Sequence, residues 1–260
     1  MHDLNCSVMD HAALTDCYRL IRLRAEEVVR TARPGQFVHV RVTGLEQTAL
    51  RRPFSIYRAE DGVLSLIYKT VGRGTNHMAR LVTGDTVGVI GPLGNGFPCG
   101  GLEGRVPVLV AGGYGVAPLS FLARRLGCRG VLLAGGRTSA DLLCLQDFVA
   151  LGWDVRVATQ DGSQGEAGLV TVLLDRMLET QASGRPELFA CGPDGLLRAV
   201  AERARACGCR AWLSLDKHMV CGVGACLACV QKLRRSDGSL WMGRVCNDGP
   251  VFEASEIVWE

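Results

Sequence analysis

The chain has 260 residues, 48% of them hydrophobic, and a formal net charge of +3 made of interspersed positive and negative residues. This length suits two hydrophobic cores better than one, and the lack of a basic stripe argues against nucleic-acid binding. No apolar run is long enough to cross a membrane and no signal-peptide pattern opens the sequence, so we expect a cytoplasmic protein without a membrane partner.

Alternating apolar and polar residues predict several short strands between residues 17 and 98. The predicted strands cover residues 18–24, 36–42, 54–57, 63–69 and 86–90. Turns are predicted at Pro34-Gly35 and at Asp61-Gly62, the second of which is a hairpin signal. Short strands at this spacing are typical of a small antiparallel barrel, so we assign residues 1–100 to a barrel domain.

Two motifs in this region predict a phosphate site. The first consists of Arg52, Pro53, Phe54 and Ser55. In the second, Gly74 and Thr75 lie where a strand gives way to a helical pattern at residues 76–81. A guanidinium and the N–H groups of a helix start both bind anions, so a diphosphate would fit between the motifs. Each motif alone is typical of a polar turn, but the two together, ahead of a nucleotide pattern, favour FAD.

Glycines and prolines at residues 91–98 mark a linker, with a domain boundary near residue 100. A continuous apolar run follows at residues 106–111, as in a buried parallel strand, and then the sequence G-G-Y-G-V-A-P ahead of a helical stretch at residues 119–126. A strand, a glycine turn and a helix form the context of a dinucleotide fingerprint, so Gly113 and Gly115 are expected to bind NAD. A tight turn without a ligand is the alternative.

Strands and helices then alternate, with predicted strands at residues 131–134, 154–159, 187–190 and 211–215 and predicted helices at residues 140–149, 170–178 and 195–206. This pattern predicts a doubly wound parallel sheet, whose ligands lie at the carboxyl ends of its strands. We assign residues 101–215 to this NAD-binding domain. Cys191 follows one such strand, where it would neighbour the nicotinamide, or would simply be a small buried hydrophobe.

Four cysteines near the end have the C-x4-C-x2-C spacing, with a distant fourth, of plant-type 2Fe–2S centres. They are Cys221, Cys226, Cys229 and Cys246. Gly222 and Gly224 permit the positive φ that a loop around a cluster needs. Structural zinc is the main alternative, although its cysteines usually come in two pairs, and buried free thiols are a weaker one. We therefore predict a cluster-binding segment at residues 216–260.

The other eight of the twelve cysteines are scattered, and we interpret them as reduced core thiols. They are Cys6, Cys17, Cys99, Cys128, Cys144, Cys191, Cys207 and Cys209.

These motifs together resemble the ferredoxin–NADP reductase superfamily. The cluster region, closed by residues 244–252, looks like the electron-transfer subunit of class B dihydroorotate dehydrogenase, a family whose subunit carries FAD and a 2Fe–2S cluster beside a separate FMN subunit that oxidises dihydroorotate. Tyr114 departs from the pattern, because a smaller aliphatic residue is expected there. The resemblance implies that FAD is bound by Arg52, Pro53, Phe54 and Ser55. It implies that the flavin is lined by Ile67, Tyr68 and Lys69, and that the diphosphate is held by Gly74 and Thr75. It also implies that iron is ligated by Cys221, Cys226, Cys229 and Cys246.

The order of the cofactors indicates a relay. Nicotinamide exchanges hydride and an iron–sulfur cluster exchanges single electrons, so the flavin must stand between them. The resemblance implies an NAD-linked oxidoreductase subunit that passes electrons from the FMN of a dihydroorotate dehydrogenase catalytic subunit through the cluster and FAD to NAD. It also implies a role in pyrimidine biosynthesis and a heterotetramer with two copies of each subunit. No residue has the pattern of a catalytic acid or base, and His77 and His218 are expected to be solvated or structural.

Two alternative functions remain open. One is a flavin and iron–sulfur subunit of an NADPH–ferredoxin transhydrogenase or hydrogenase. The other is a non-enzymatic regulatory module with a zinc-stabilised tail.

Overall fold

The computed structural model describes residues 1–41, 44–45, 50–180 and 185–259. Its N-terminal strands are β1 (His2–Ala13), β2 (Tyr18–Arg24), β3 (Phe37–Arg41), β4 (Arg52–Glu60), β5 (Val63–Lys69) and β6 (Thr86–Leu93). They close into an antiparallel barrel in the order β1-β2-β5-β4-β3-β6. Two short helices, α1 (Glu26–Thr31) and α2 (Arg73–Met78), lie in its connections. The predicted barrel is confirmed, although Val42 of the predicted second strand lies outside the described residues.

The barrel interior follows the alternation that the sequence shows. Its fully buried side chains include Ile21, Leu23, Val38, Val40, Leu64, Leu66, Val87 and Val89. Each such side chain contributes about 1.5–3 kcal/mol by leaving water, so the alternating strands stabilise closure of the sheet. The strand β1 was not predicted, because only Cys6 and Val8 are buried along its 12 residues and the apolar alternation is therefore weak.

The second part of the chain contains a parallel sheet with helices on both faces. Its strands are β7 (Arg105–Gly112), β8 (Val131–Gly136), β9 (Asp154–Thr159), β10 (Glu166–Ala167), β11 (Arg185–Cys191) and β12 (Arg210–Ser214). Its helices are α3 (Val116–Leu126), α4 (Leu145–Ala150), α5 (Thr171–Thr180) and α6 (Asp194–Cys207). Val108 packs on the side of α5 and α6, whereas Leu109 packs on the side of α3 and α4, so the sheet is doubly wound as predicted.

Helix α4 begins later than the sequence predicts. The pattern indicated a helix from residue 140, but Cys144 has φ 53°, which lies outside the right-handed helical region. A short 3-10 turn at Ser139–Asp141 therefore precedes the helix proper, which starts at Leu145. Among the helices described, none is long and apolar enough to cross a bilayer.

The last part of the chain touches both earlier parts. A hairpin of β13 (Val230–Arg234) and β14 (Leu240–Arg244) is followed by β15 (Val251–Glu253), which pairs antiparallel with β12 as the edge of the seven-stranded sheet. Asn95, in the linker after the barrel, donates its backbone N–H to Gly249 and forms a bridge with Pro250. The cysteine loop is thus held between the barrel and the sheet.

Candidate iron–sulfur, flavin and nucleotide sites

The four predicted cysteine ligands lie close together as two pairs. Cys221, Cys226 and Cys229 belong to one loop, and Cys246 follows β14. In the first pair, Cys221 Sγ accepts the N–H of Cys226 at 3.4 Å, and the two side chains also interact. In the second pair, Cys229 Sγ accepts the N–H of Cys246 at 3.4 Å, and again the side chains interact. The N–H of Gly224 donates to Cys246 Sγ at 3.1 Å and links the two pairs. Backbone N–H groups therefore point at sulfur from both sides of the loop.

The two pairs differ in environment. Burial raises the pKa of the Cys221 thiol, but N–H groups of Val223 and Cys226 outweigh this effect and lower its pKa to about 6. Burial, followed by the thiol of Cys229, raises the pKa of Cys246 to about 12. Because thiolates rather than thiols bind metal, the N–H groups around Cys221 favour the ligating form before any metal arrives.

Four cysteines in two pairs are the donor set of a two-iron centre. Structural zinc needs four ligands around one ion, whereas a 2Fe–2S centre divides four thiolates between two irons. The donor set and its pairing therefore fit the cluster.

The loop has the backbone conformation that its glycines were expected to allow. Gly222 has φ +72° and Gly224 has φ +83°. A Cβ atom on Gly224 would lie 2.9 Å from Cβ of Asn247, and one on Gly222 would lie 2.7 Å from Nδ1 of His39. Both positions thus require glycine for conformation and for space.

The first predicted flavin motif begins β4. Pro53, Phe54 and Ser55 pair with His39, Val38 and Phe37 of β3. The guanidinium of Arg52 donates to the carbonyl of Leu50 at 2.9 Å, and within the described residues it forms no ion pair with a carboxylate. No described carboxylate therefore neutralises this guanidinium.

The second predicted flavin motif lies at α2, which begins at Arg73, three residues earlier than predicted. Thr75 is buried, and its hydroxyl accepts N–H groups from Val71 at 2.9 Å and from Gly72 at 3.2 Å. The hydroxyl thus holds the turn closed. A phosphate at this turn would contact the backbone N–H groups of Gly74 and Thr75 rather than the threonine side chain.

The three residues predicted to line the flavin end β5, and consecutive strand side chains point to opposite faces. Ile67 faces the second domain, whereas Tyr68 points into the barrel, where its hydroxyl lies 2.8 Å from His11 and its ring 5.6 Å from that of Phe54. Lys69 Nζ lies 4.9 Å above the ring of Tyr18. Any contact of Tyr68 with a flavin would therefore come from its backbone.

The predicted nucleotide residues converge at the carboxyl ends of two neighbouring strands. Gly113 has φ +54°, and a Cβ on Gly115 would lie 2.1 Å from the carbonyl oxygen of Cys191. Burial raises the pKa of Cys191 to about 12, so its thiol stays protonated near neutral pH. Tyr114 is 47% exposed between these glycines, and its hydroxyl donates to Asp216 at 3.3 Å.

Comparison with known proteins agrees with this geometry. Residues 216–258 match the family model described as the iron-sulfur cluster binding domain of dihydroorotate dehydrogenase B, and residues 6–97 match the oxidoreductase FAD-binding domain. The chain is 43% identical over 254 residues to a Bacillus caldolyticus protein named dihydroorotate dehydrogenase B (NAD(+)), electron transfer subunit, covering 92% of this chain and 95% of that protein. The chain belongs to the family of dihydroorotate dehydrogenase B electron transfer subunits.

A second relative carries the same name. The protein of Desulforamulus reducens is 36% identical, with 91% of this chain and 90% of that protein covered. Among solved structures, that of an NADH-dependent reduced ferredoxin-NADP oxidoreductase is similar, with a TM-score of 0.84 and 29% sequence identity. The match covers 98% of this chain and 90% of the other. The Amycolatopsis cytochrome P450 reductase GcoB matches with a TM-score of 0.65 and 27% identity, over 79% of this chain and 66% of the other. The predicted family and fold are confirmed.

Sequence reasoning missed three polar residues of this dihydroorotate dehydrogenase B family member, of which one is buried and two are half-buried. His39 is 1% exposed and lies against the cysteine loop. Burial, followed by the charge of Arg51, lowers the pKa of His39 to about 4. Asp141 accepts a 2.8 Å hydrogen bond from Tyr18, and Asp147 is bonded to Tyr57 and Arg58, so both aspartates tie the sheet domain to the barrel.

No local sequence pattern marks the two aspartates, because their hydrogen-bond partners lie 89 to 123 positions away along the chain.

The interpretation of the eight scattered cysteines as core thiols was wrong in part. The eight scattered cysteines are free, as expected, but Cys99, Cys128 and Cys207 are exposed rather than in the core. The scattered spacing of cysteines argues against a disulfide framework, but it does not predict which of them are buried.

Proposed function

We propose that this chain passes electrons from the FMN of a dihydroorotate-oxidising partner subunit through a 2Fe–2S cluster and FAD to NAD⁺, in pyrimidine biosynthesis. The observation that carries the proposal is the paired cysteine loop, held between a flavin-type barrel and a dinucleotide-type sheet in one chain. The bound groups supply the redox chemistry, with flavin joining one-electron to hydride transfer. The chain supplies their positions.

Four cysteines would hold the irons, namely Cys221, Cys226, Cys229 and Cys246, in the two pairs described above. N–H groups of the loop would stabilise the thiolates, as outer hydrogen bonds do at metal sites. Cys221 Sγ accepts hydrogen bonds from the N–H groups of Val223, Ala225 and Cys226 at 3.3–3.5 Å. This concentration of donors around one sulfur is the arrangement that would tune the cluster potential.

FAD would lie along the start of β4 and the end of β5. Arg52 would bind its diphosphate through a charge-assisted contact, together with the N–H groups of Gly74 and Thr75. Pro53, Phe54 and Ser55, with Ile67, Tyr68 and Lys69, would line the flavin. Gly113, Gly115 and Cys191 would receive NAD at the strand ends, where open parallel sheets bind nucleotides. No side chain here would act as acid or base on dihydroorotate.

The same proposal covers organisation and assembly. Residues 1–100 would bind FAD, residues 101–215 NAD, and residues 216–260 the cluster, in a cytoplasmic heterotetramer with two copies of each subunit. The partner would meet the cysteine loop, because Val223 is 39% and Leu227 61% exposed there. Apolar side chains at the centre of an interface exclude water on docking.

The test is to purify the chain anaerobically, alone and with a dihydroorotate-oxidising FMN subunit. The expected result is non-covalent FAD, iron with acid-labile sulfide, and dihydroorotate-dependent NAD⁺ reduction only when both subunits are present. Zinc in place of iron with no flavin released on denaturation would refute the proposal. Reduction of ferredoxin in place of coupling to the FMN subunit would instead support the transhydrogenase alternative.

A further inference from the structure

His39 is a buried polar side chain without an evident partner. It lies in the middle of β3 and is 1% exposed, and neither ring nitrogen makes a hydrogen bond of full geometry within the described residues, although the ring interacts with the backbone of Cys221. A buried polar group left without a hydrogen bond costs free energy, so each such group in a folded protein calls for an explanation. An apolar side chain would fill the same space in the barrel wall without that cost.

The ring of His39 lies against the cysteine loop. A Cβ atom placed on Gly222 would be 2.7 Å from Nδ1, 3.1 Å from Cγ and 3.2 Å from Cε1 of His39. The contact therefore runs along the face of the ring, and only a residue without a side chain fits beside it. Gly222 directly follows Cys221, the first cysteine of the loop.

On its other side, His39 belongs to the flavin-binding part of the barrel. It pairs with Pro53 of β4 and with Ile90 of β6. Its carbonyl accepts a hydrogen bond from Arg51 at 3.4 Å, and the same guanidinium donates to Gly88 at 3.3 Å, so the backbone of His39 is tied to its neighbours. The imidazole therefore projects from a rigid strand, next to the first flavin motif, onto the cluster loop.

We propose that His39 is a positioning residue of the electron relay, which holds the loop at Cys221 and Gly222 against the barrel and so sets the placement of the cluster relative to the flavin. This inference rests on the proposed function, because it requires that both groups bind this chain. In the loaded protein, the cluster loop would then provide the polar contacts that the buried imidazole of His39 requires. Outer groups of this kind orient the ligands of metal sites and tune them.

Two substitutions separate the shape of the ring from its nitrogens. His39→Phe keeps a flat ring against Gly222 and removes both nitrogens, whereas His39→Gln keeps a hydrogen-bonding group of similar reach. The measurements are FAD and iron content, the EPR spectrum and midpoint potential of the cluster, and the rates at which NADH reduces first the flavin and then the cluster in rapid mixing.

We expect His39→Phe to retain FAD and normal reduction of the flavin by NADH, since Arg52 and the α2 turn are untouched. Its cluster should show a shifted potential and altered EPR spectrum, and its reduction should slow by about tenfold, or roughly 1.4 kcal/mol of barrier. His39→Gln should recover most of that rate and the original spectrum. A purely structural role would not move the potential of a fully loaded cluster, and an unchanged potential, spectrum and rate in His39→Phe would overturn the proposal.

A second pair of variants tests the contact from the loop side, and decides the question if His39→Phe does not fold. Gly222→Ala and Gly224→Ala introduce the same methyl group at positive φ, but only the first meets His39, whereas the second meets Asn247. Adding His39→Ala should restore part of the cluster content lost in Gly222→Ala and none of that lost in Gly224→Ala, because coupling is confined to residues in contact. Equal effects of His39→Ala on both would contradict the contact. A wild-type chain without iron would instead refute the proposed function.

Discussion

The two cysteine pairs of the loop share a sequence motif but not an environment. Cys226 is exposed and Cys221 half-buried, with N–H groups holding the pKa of Cys221 at about 6. Cys229 and Cys246 are buried within a hydrophobic core, and burial raises the pKa of Cys246 to about 12. One pair is thus part of the fold itself, whereas the other lies toward the surface, where we propose that the partner docks.

The largest expected effect comes from replacing one cysteine of each pair by serine. Both Cys229→Ser and Cys226→Ser should lose the cluster, because a serine oxygen is a harder ligand than thiolate. Only Cys229→Ser should also destabilise the chain, by about 1–3 kcal/mol, since its hydroxyl would be buried among apolar side chains. Thermal unfolding of the two cluster-free proteins measures the difference, and equal melting temperatures would remove the distinction between the pairs.

The exposed variant also tests the separation of the sites. Cys226→Ser should retain FAD and should reduce dyes with NADH at nearly the normal rate, because the flavin and nucleotide residues lie in other elements. Loss of dye reduction together with the cluster would show that the three sites depend on one another.

The partner-facing side of the loop is tested by Leu227→Glu. This residue is 61% exposed, and a carboxylate there would lose water on docking without a partner to replace it. We expect electron transfer from the dihydroorotate-oxidising subunit to be blocked, while FAD and iron content stay unchanged. Val172→Glu is a control, because Val172 is an exposed apolar residue on α5, which is not part of the loop. Unchanged docking of Leu227→Glu would take the loop out of the interface.

A smaller effect is expected in the flavin site. Arg52→Ala should weaken FAD binding by about 1.5–3 kcal/mol, roughly 10- to 150-fold, through loss of a charge-assisted contact. Arg51→Ala should weaken it much less, because the guanidinium of Arg51 is already bonded to carbonyls of His39 and Gly88. Flavin release on dilution measures both, and equal losses would place the anion contact elsewhere.

The smallest effect concerns the cluster-free protein. Because the pKa of Cys221 is lowered to about 6 and that of Cys246 raised to about 12, Cys221 is mostly thiolate at pH 7.5 and Cys246 mostly thiol. Iodoacetamide should therefore label Cys221 faster, and the advantage should fade as the pH falls below about 6. Peptide mass spectrometry measures the two rates, and equal labelling would contradict the difference in environment.

The sequence was sufficient for features whose cause is local. Alternation predicted the barrel strands, and a strand followed by Gly113 and Gly115 predicted a tight turn before a helix, because both depend on neighbours in the chain. The spacing of Cys221, Cys226 and Cys229 predicted a common loop for the same reason. The positive φ of Gly222 was expected as well.

Features that depend on distant contacts were not predictable. Strand β15 joins the sheet edge beside β12, and only the folded chain shows this pairing. His39 belongs to an alternating strand and gives no sign that its ring meets Gly222, which lies in another part of the chain. Thr75 was expected to hold the diphosphate, and no local pattern shows that its hydroxyl closes its own turn. Tertiary packing decides such roles.

The central claim is that flavin and cluster form one relay within this chain. Its most direct test is to add NADH to the anaerobically purified chain alone and to record the flavin absorbance and the EPR spectrum in the same sample. The account predicts that the flavin bleaches and that the signal of a reduced 2Fe–2S cluster then appears, without any partner subunit. Bleaching of the flavin without a cluster signal, in protein shown to contain iron and sulfide, would contradict it.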